Sequence, residues 1–110
     1  MTRFLALSLA GALTAFKKAL AITAGLAARE PTSIKWQHDV AASHQRIGDV
    51  LVAQGDHLGA LAAFRQAQGI AVTLAELDPA NTEWQHSLTI IYLRIGDVLI
   101  AWENEAYLAL

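Results

Sequence analysis

Hydrophobic residues along the chain follow a helical spacing in four stretches. In the first stretch they recur every three or four positions, at Leu9, Ala12, Leu13, Phe16, Ala19, Leu20, Ile22 and Leu26. Such a stripe predicts an amphipathic helix from about Arg3 to Ala28. Similar stripes predict helices over about 33–54 and 57–77, and a fourth from about Thr82 to at least Ala101. The pattern therefore predicts an all-α chain.

Turn-forming residues separate the four stretches. Pro31 ends the first helix and Pro79 follows the third, because the residue before a proline is driven out of the helical region. Gly55 supplies a left-handed conformation at the end of the second helix. Side chains suited to capping the following helices are Thr32 or Ser33, Asp56 and Asn81. Connections this short predict that neighbouring helices run antiparallel.

The chain contains an internal repeat with a period of 48 residues. The segment 46–51, Arg-Ile-Gly-Asp-Val-Leu, returns unchanged at 94–99, and Trp36-Gln37-His38 returns at 84–86. Residues 11–36 match 59–84 without a gap at eleven of 26 positions. A fixed period of this size indicates stacked units, none of which can bury its apolar face alone. The second copy fades after Ala101, and whether the last helix breaks near Asn104 or continues to Leu110 stays open.

Composition and charge bound the function without identifying it. The 110 residues suffice for one domain, and the absence of cysteine excludes disulfide bonds and thiolate metal sites. The net charge of −2 gives no reason to expect nucleic-acid binding. Residues 1–48 nevertheless carry six Lys/Arg and two acids, whereas residues 49–110 carry two Lys/Arg and eight acids. This asymmetry is either ordinary surface variation or a source of head-to-tail attraction between copies.

The N-terminal residues resemble a secretory signal, with Arg3 before an apolar run and small residues. The repeat favours a different interpretation, because Gly11 onward aligns with a later helix. Lys17 and Lys18 also interrupt the apolar run before the roughly 20 residues that a membrane span requires. A cytoplasmic protein without a membrane partner is therefore expected, with an exported helical protein carrying a signal at 1–12 as an alternative.

One repeat unit resembles the tetratricopeptide repeat family. The signature residues are Ile47, Gly48, Leu51, Ala60, Phe64 and Ala67. The first helix adds Ala12, Phe16 and Ala19 of a preceding unit, and the fourth adds Ile95, Gly96 and Leu99 of a following one. Leu51 stands where an aromatic residue is common, and two further features depart from the family: the period is 48 where 34 is usual, and the proline falls later, at Pro79. The chain is thus similar to a long-helix, bacterial type of the family.

The resemblance implies a right-handed α-solenoid segment that binds a peptide or partner protein and has no enzymatic activity. Its four helices form a single domain at 1–110, made of a half unit at 3–30, a full unit at 33–78 and a half unit at 81–110. Neither end has an evident polar cap, so the chain is expected to be part of a longer array or to associate with itself. A structural module that stacks head to tail is therefore a second candidate.

The two repeated glycines are expected to lie where helices pack closely. Gly48 and Gly96 lie within helices, where glycine is less favourable than alanine by about 1 kcal/mol. We expect that cost to be offset by close approach of a neighbouring helix, with Phe64 filling the space. Gly48→Leu and Phe64→Ala are then expected to be the most damaging single changes.

The resemblance also implies a ligand groove, because the first helix of each unit lines the concave face in that family. Helical spacing puts polar residues on this face, namely His38, Gln45, Asp49, His86 and Asp97. Such residues above an apolar floor would select a basic or hydrogen-bonding peptide. The alternative is that Asp49 pairs with Arg46, and Asp97 with Arg94, across one helical turn.

Other chemistry finds no support in the sequence. The four histidines have no compact zinc-site spacing, and phosphate-loop and serine-nucleophile motifs are missing, so we expect no cofactor, metal or catalytic residue. Trp36 and Trp84 are expected to pack at unit junctions, with each indole N–H bonded to a loop carbonyl. Trp102 has no repeat counterpart and is a candidate contact residue.

Overall fold

The computed structural model describes residues 2–109, and that part of the chain is all-helical, with four α-helices and no strand. They are α1 (Arg3–Arg29), α2 (Ile34–Ala53), α3 (His57–Leu77) and α4 (Thr82–Leu108). These bounds agree with the predicted ones to within a residue or two. The question about the last helix is resolved as far as Leu108, since α4 continues through Asn104. Leu110 lies outside the described residues.

Capping side chains begin every helix. The oxygens of Ser33, Asp56 and Asn81 each accept a hydrogen bond from the backbone N–H three residues later. Thr2 does the same for α1. Each bond satisfies a backbone donor that has no partner within the helix, so the predicted caps for α2, α3 and α4 are confirmed, with Ser33 in place of Thr32.

Gly55 closes α2 as predicted. Its φ of 79° is the left-handed conformation that side chains disfavour. The N–H of Asp56 bonds to the carbonyl of Leu51, and that of Gly55 to Val52. This pair of bonds is the Schellman motif, which satisfies carbonyls that the helix end would otherwise leave free.

Consecutive helices pack against each other in antiparallel pairs, α1 on α2, α2 on α3 and α3 on α4. At one end of α3, Leu77 lies near Ile34 at the start of α2; at the other end, His57 lies near Glu105 late in α4. The Cα dimensions are 46 × 27 × 19 Å, with a radius of gyration of 15.2 Å. A compact chain of this length has a radius near 13 Å, so the four helices form an elongated row.

The core lies where α3 meets α4. Phe64 is completely buried, as are Ala60 and Ala67 on the same helix. Around them pack the aliphatic side chains of α4, Ile91, Ile95 and Val98. Burial of an aromatic ring contributes strongly to the free energy of folding, and this ring belongs to the main hydrophobic cluster.

Gly48 allows α2 to approach that ring. A methyl group at Gly48 would lie 2.5 Å from Cε1 and 2.8 Å from Cζ of Phe64, well inside van der Waals contact. The expected packing of Gly48 against Phe64 is therefore confirmed. The parallel expectation for Gly96 is wrong: Gly96 is exposed and has no neighbour within 4 Å of the corresponding position. The reason is that Gly48 meets the helix that follows α2, and within residues 2–109 no helix follows α4.

The first helix is covered on one side only. Within the described part of the chain α1 packs mainly on α2, and Ala27 is its single buried residue. Large apolar side chains remain exposed along it, at Phe4, Leu5, Leu7 and Ile22. By length and composition α1 is able to cross a bilayer, a test that signal sequences and core helices of soluble proteins also pass.

Candidate binding groove

Two clefts open between α2 and α4, which lie side by side across α3. The N-terminal cleft, near the starts of α2 and α4, has a volume of about 120 Å³. It is lined by His38, Ala41, Ala42, Gln45, Ala71, Leu74, Trp84, Ser87 and Ile91. The C-terminal cleft, of about 570 Å³, is lined by Asp49, Val52, His57, Phe64, Leu93, Arg94, Asp97, Val98 and Ala101. Together they form a groove with α2 and α4 as walls and α3 as its floor.

Four of the five predicted groove residues line these clefts. His38 and Gln45 belong to the N-terminal cleft, and Asp49 and Asp97 to the C-terminal cleft. His86 is exposed on α4 and lines neither cleft. The structure therefore divides the proposed polar ladder into two groups.

An ion pair links the two walls. Nε of Arg94 on α4 donates to Oδ1 of Asp49 on α2 at 2.6 Å, with both side chains partly exposed. The sequence-based alternative, a local pair between Asp49 and Arg46, is wrong because Arg94 is the partner. Arg46 instead places its guanidinium 6.0 Å from the centre of the Phe16 ring. A partly exposed ion pair contributes about 0.2–1 kcal/mol, so this contact adds little to stability and joins the two walls at a single point.

Asp97 keeps its carboxylate available. It is exposed, and among residues 2–109 no Lys, Arg or His nitrogen lies within 4 Å of it, so the predicted local pair with Arg94 is also wrong. Val98 and Leu93 lie beside it in the C-terminal cleft. This is an acidic group beside an apolar surface, a combination suited to a basic side chain with apolar neighbours.

His57 lines the C-terminal cleft and contacts Glu105 on α4. Nδ1 of His57 lies 2.9 Å from Oε2 of Glu105, but off the line of a well-formed hydrogen bond. The contact becomes an ion pair when the imidazole is protonated. Since His57 is the first residue of α3, this contact ties that end of α3 to the last two turns of α4.

Sequence reasoning missed Arg94 and His57 as lining residues. Arg94 has a repeat counterpart, Arg46, but no pattern within one helix shows that it reaches across to α2. His57 follows the Gly55-Asp56 turn, and the sequence predicted only that a helix begins there. Spacing assigns residues to a face, whereas these contacts depend on how far apart two helices lie.

The repeated tryptophans differ in their surroundings. Nε1 of Trp36 donates to the Glu30 carboxylate at 3.2 Å rather than to the expected loop carbonyl, and Lys35 lies over the ring. Trp84 lines the N-terminal cleft instead. Both are half-buried, and Trp102 is exposed.

Burial changes the titration of His44. It is half-buried on α2, and loss of hydration lowers its pKa below the ordinary value of 6.5, because the charged imidazolium is the form that burial disfavours.

Among the described residues no group of three or more His, Cys, Asp or Glu side chains is arranged to hold a metal ion. Comparison with protein-family models, with characterised proteins and with solved structures found no match for this chain.

Proposed function

We propose that this chain is a protein-interaction scaffold of the tetratricopeptide type, in which consecutive helices form a right-handed solenoid segment. The groove between α2 and α4 receives an extended or helical peptide of a partner protein. No chemical step is assigned to it, and a cytoplasmic, bacterial setting belongs to the proposal through the family resemblance.

The observation that carries this proposal is the chemistry of the C-terminal cleft. Its volume of about 570 Å³ accommodates a few side chains, and its surface combines aliphatic residues with the carboxylate of Asp97, which has no cationic partner among residues 2–109. A peptide side chain with a positive charge can reach Asp97 while its apolar neighbours contact Val98 and Leu93. The Asp49 carboxylate is already paired with Arg94, so Asp97 is the acid of this cleft that is left to meet a basic side chain.

The experiment uses fluorescein-labelled peptide pairs measured by polarisation. One member of each pair has a single arginine within a Leu/Ala-rich helical peptide, and the other has glutamate at that position. We expect the arginine peptides to bind more tightly, and Asp97→Asn to weaken them about two- to fivefold, as loss of one exposed charge contact predicts.

Glu76→Gln is the matched control, since Glu76 is an exposed acid on α3 that lines neither cleft. It changes the net charge by the same amount and is expected to leave the affinity unchanged. Equal binding of arginine and glutamate peptides, or equal loss in both variants, would contradict the assignment of Asp97.

A further inference from the structure

The contact between α2 and α3 is a template for a second contact that the molecule leaves open. In that contact α2 presents Gly48 and α3 presents Phe64, and the ring lies where a Gly48 side chain would be. Because the chain repeats with a period of 48 residues, α4 is a second copy of α2, and α1 is a second copy of α3. Each half of the template therefore occurs once more, on the two outer helices.

The outer side of α4 repeats the side of α2 that receives α3. Gly96 corresponds to Gly48, and Leu99 to Leu51. Gly96 is exposed where Gly48 is buried, Leu99 is 38% exposed, and Tyr92, one turn before Gly96, is 49% exposed. Nothing in the described chain lies within 4 Å of where a Gly96 side chain would be. The surface of α2 that Phe64 covers, around Gly48, therefore has an uncovered equivalent on α4, around Gly96.

The outer side of α1 repeats the side of α3 that meets α2. Ala15, Phe16 and Ala19 correspond to Ala63, Phe64 and Ala67, which are all buried. On α1 the two alanines are exposed and the ring is only half-buried. Helix α2 packs on α1 in the same way that α4 packs on α3. The part of α1 that is still exposed therefore corresponds to the side of α3 that contacts α2.

We propose that a second copy of this chain covers these surfaces, with α1 of one copy packing on α4 of the next as α3 packs on α2. Phe16 of one molecule then lies over Gly96 of its neighbour. The contact is head to tail, because the two surfaces are different. It does not depend on the proposed peptide groove, whose residues face the space between α2 and α4.

Charge supports this choice of partner. Helix α1 carries four Lys/Arg and no acid, a net charge of +4; α4 carries four acids and one arginine, a net charge of −3. The inner helices α2 and α3 each carry equal numbers of acidic and basic residues. Opposite charge is thus confined to the two helices that would meet, which favours encounter in this orientation and disfavours contact between like ends.

The experiment measures the molar mass of the 110-residue chain by sedimentation velocity, from about 1 to 500 µM, a range that spans weak association. We expect association that rises with concentration and is weakened at least about tenfold by Gly96→Ala, because the added methyl group occupies the site of the partner ring. Gly69→Ala is the matched control: Gly69 is also exposed within a helix and has no neighbour within 4 Å.

A second variant acts on the other surface. Ala19→Glu puts a charged side chain where the template has the buried Ala67, and it is likewise expected to weaken association at least about tenfold. Ala21→Glu, whose counterpart Gly69 is exposed, is expected to leave association intact. All four variants alter positions that are exposed in the monomer, and circular dichroism verifies that each remains helical.

Mixing the two variants tests whether the contact is head to tail. A mixture of Gly96→Ala and Ala19→Glu retains one intact surface of each kind, so a head-to-tail contact joins one molecule of each variant at concentrations where either variant alone is monomeric. A wild-type chain that stays monomeric, association that survives Gly96→Ala, or a mixture that stays monomeric would overturn the proposal. So would binding to neutral phosphatidylcholine vesicles by a chain that does not self-associate, since α1 would then be a membrane-binding helix.

Discussion

At the scale of single residues, identical glycines have different structural roles. Gly48 and Gly96 lie in the same six-residue sequence, yet one meets a buried aromatic ring and the other meets no neighbour within 4 Å. The intrinsic cost of a glycine within a helix is the same at both sites, about 1 kcal/mol. Only at Gly48 does a contact in the described chain offset that cost. The two positions therefore form an internal matched pair.

Alanine at the two sites is expected to have opposite effects on stability. Gly48→Ala forces the Phe64 ring out of place, and overpacking of this kind costs about 1–3 kcal/mol. Gly96→Ala meets nothing in the monomer and is expected to raise the free energy of unfolding by about 0.5–1 kcal/mol. Urea unfolding at low protein concentration measures both. Destabilisation of similar size at the two sites would contradict the packing described here.

A histidine gives a second prediction at this scale. Burial lowers the folded-state pKa of His44, so the unfolded chain binds its proton first as the pH falls. The stabilisation from neutral His44 is complete above about pH 6.5, the pKa of an ordinary histidine. It declines as the pH falls from there toward the lowered pKa of the folded state. We expect His44→Gln to reduce the loss of stability between pH 7.5 and pH 5. A wild-type loss no larger than that of the variant would show that His44 does not contribute.

At the scale of helices, local sequence predicts most of what the structure shows. The positions of Ser33, Asp56 and Asn81 identified three helix starts, and Gly55 identified a helix end, because caps depend only on backbone groups a few residues away. Contacts between helices were harder to predict. The partner of Asp49 lies 45 residues away, and helical periodicity carries no information about that distance.

Asp56 allows the cap to be tested. Its carboxylate accepts a hydrogen bond from the N–H of Gly59 at 2.9 Å, so Asp56→Ala is expected to lower the free energy of unfolding by about 0.5–2 kcal/mol. Asp78→Ala is the control, because Asp78 lies at the other end of α3 and there forms a C-cap through its backbone only. Thermal unfolding of both variants makes the comparison. An equal effect would mean that net charge, rather than the capping bond, is responsible.

At the scale of the whole molecule, the repeat explains both the elongated shape and the unpaired surfaces. In a row of helices the first and last each have a neighbour on one side, and within residues 2–109 these are α1 and α4. The period of 48 residues predicted equivalent helices, and the structure shows that equivalence in sequence does not give equal burial: Phe64 is fully buried and Phe16 half-buried. The sequence repeat could identify which positions in two helices are equivalent. Only the packing shows which of these positions lack a neighbouring helix within residues 2–109.

If α1 packs on α4 of a neighbour, growth does not stop at a dimer, because a head-to-tail contact without closure leaves one free surface at each end. Small-angle scattering at rising concentration is expected to show increasing length at constant cross-section. Association should also weaken between about 50 and 500 mM NaCl, as the Debye length falls from roughly 14 to 4 Å and the attraction between α1 and α4 is screened. Gly96→Ala should begin to lengthen only at concentrations at least about tenfold higher than the wild-type chain, in both salts. A dimer of fixed size, or association that strengthens with salt, would instead indicate a symmetric apolar contact between two like helices.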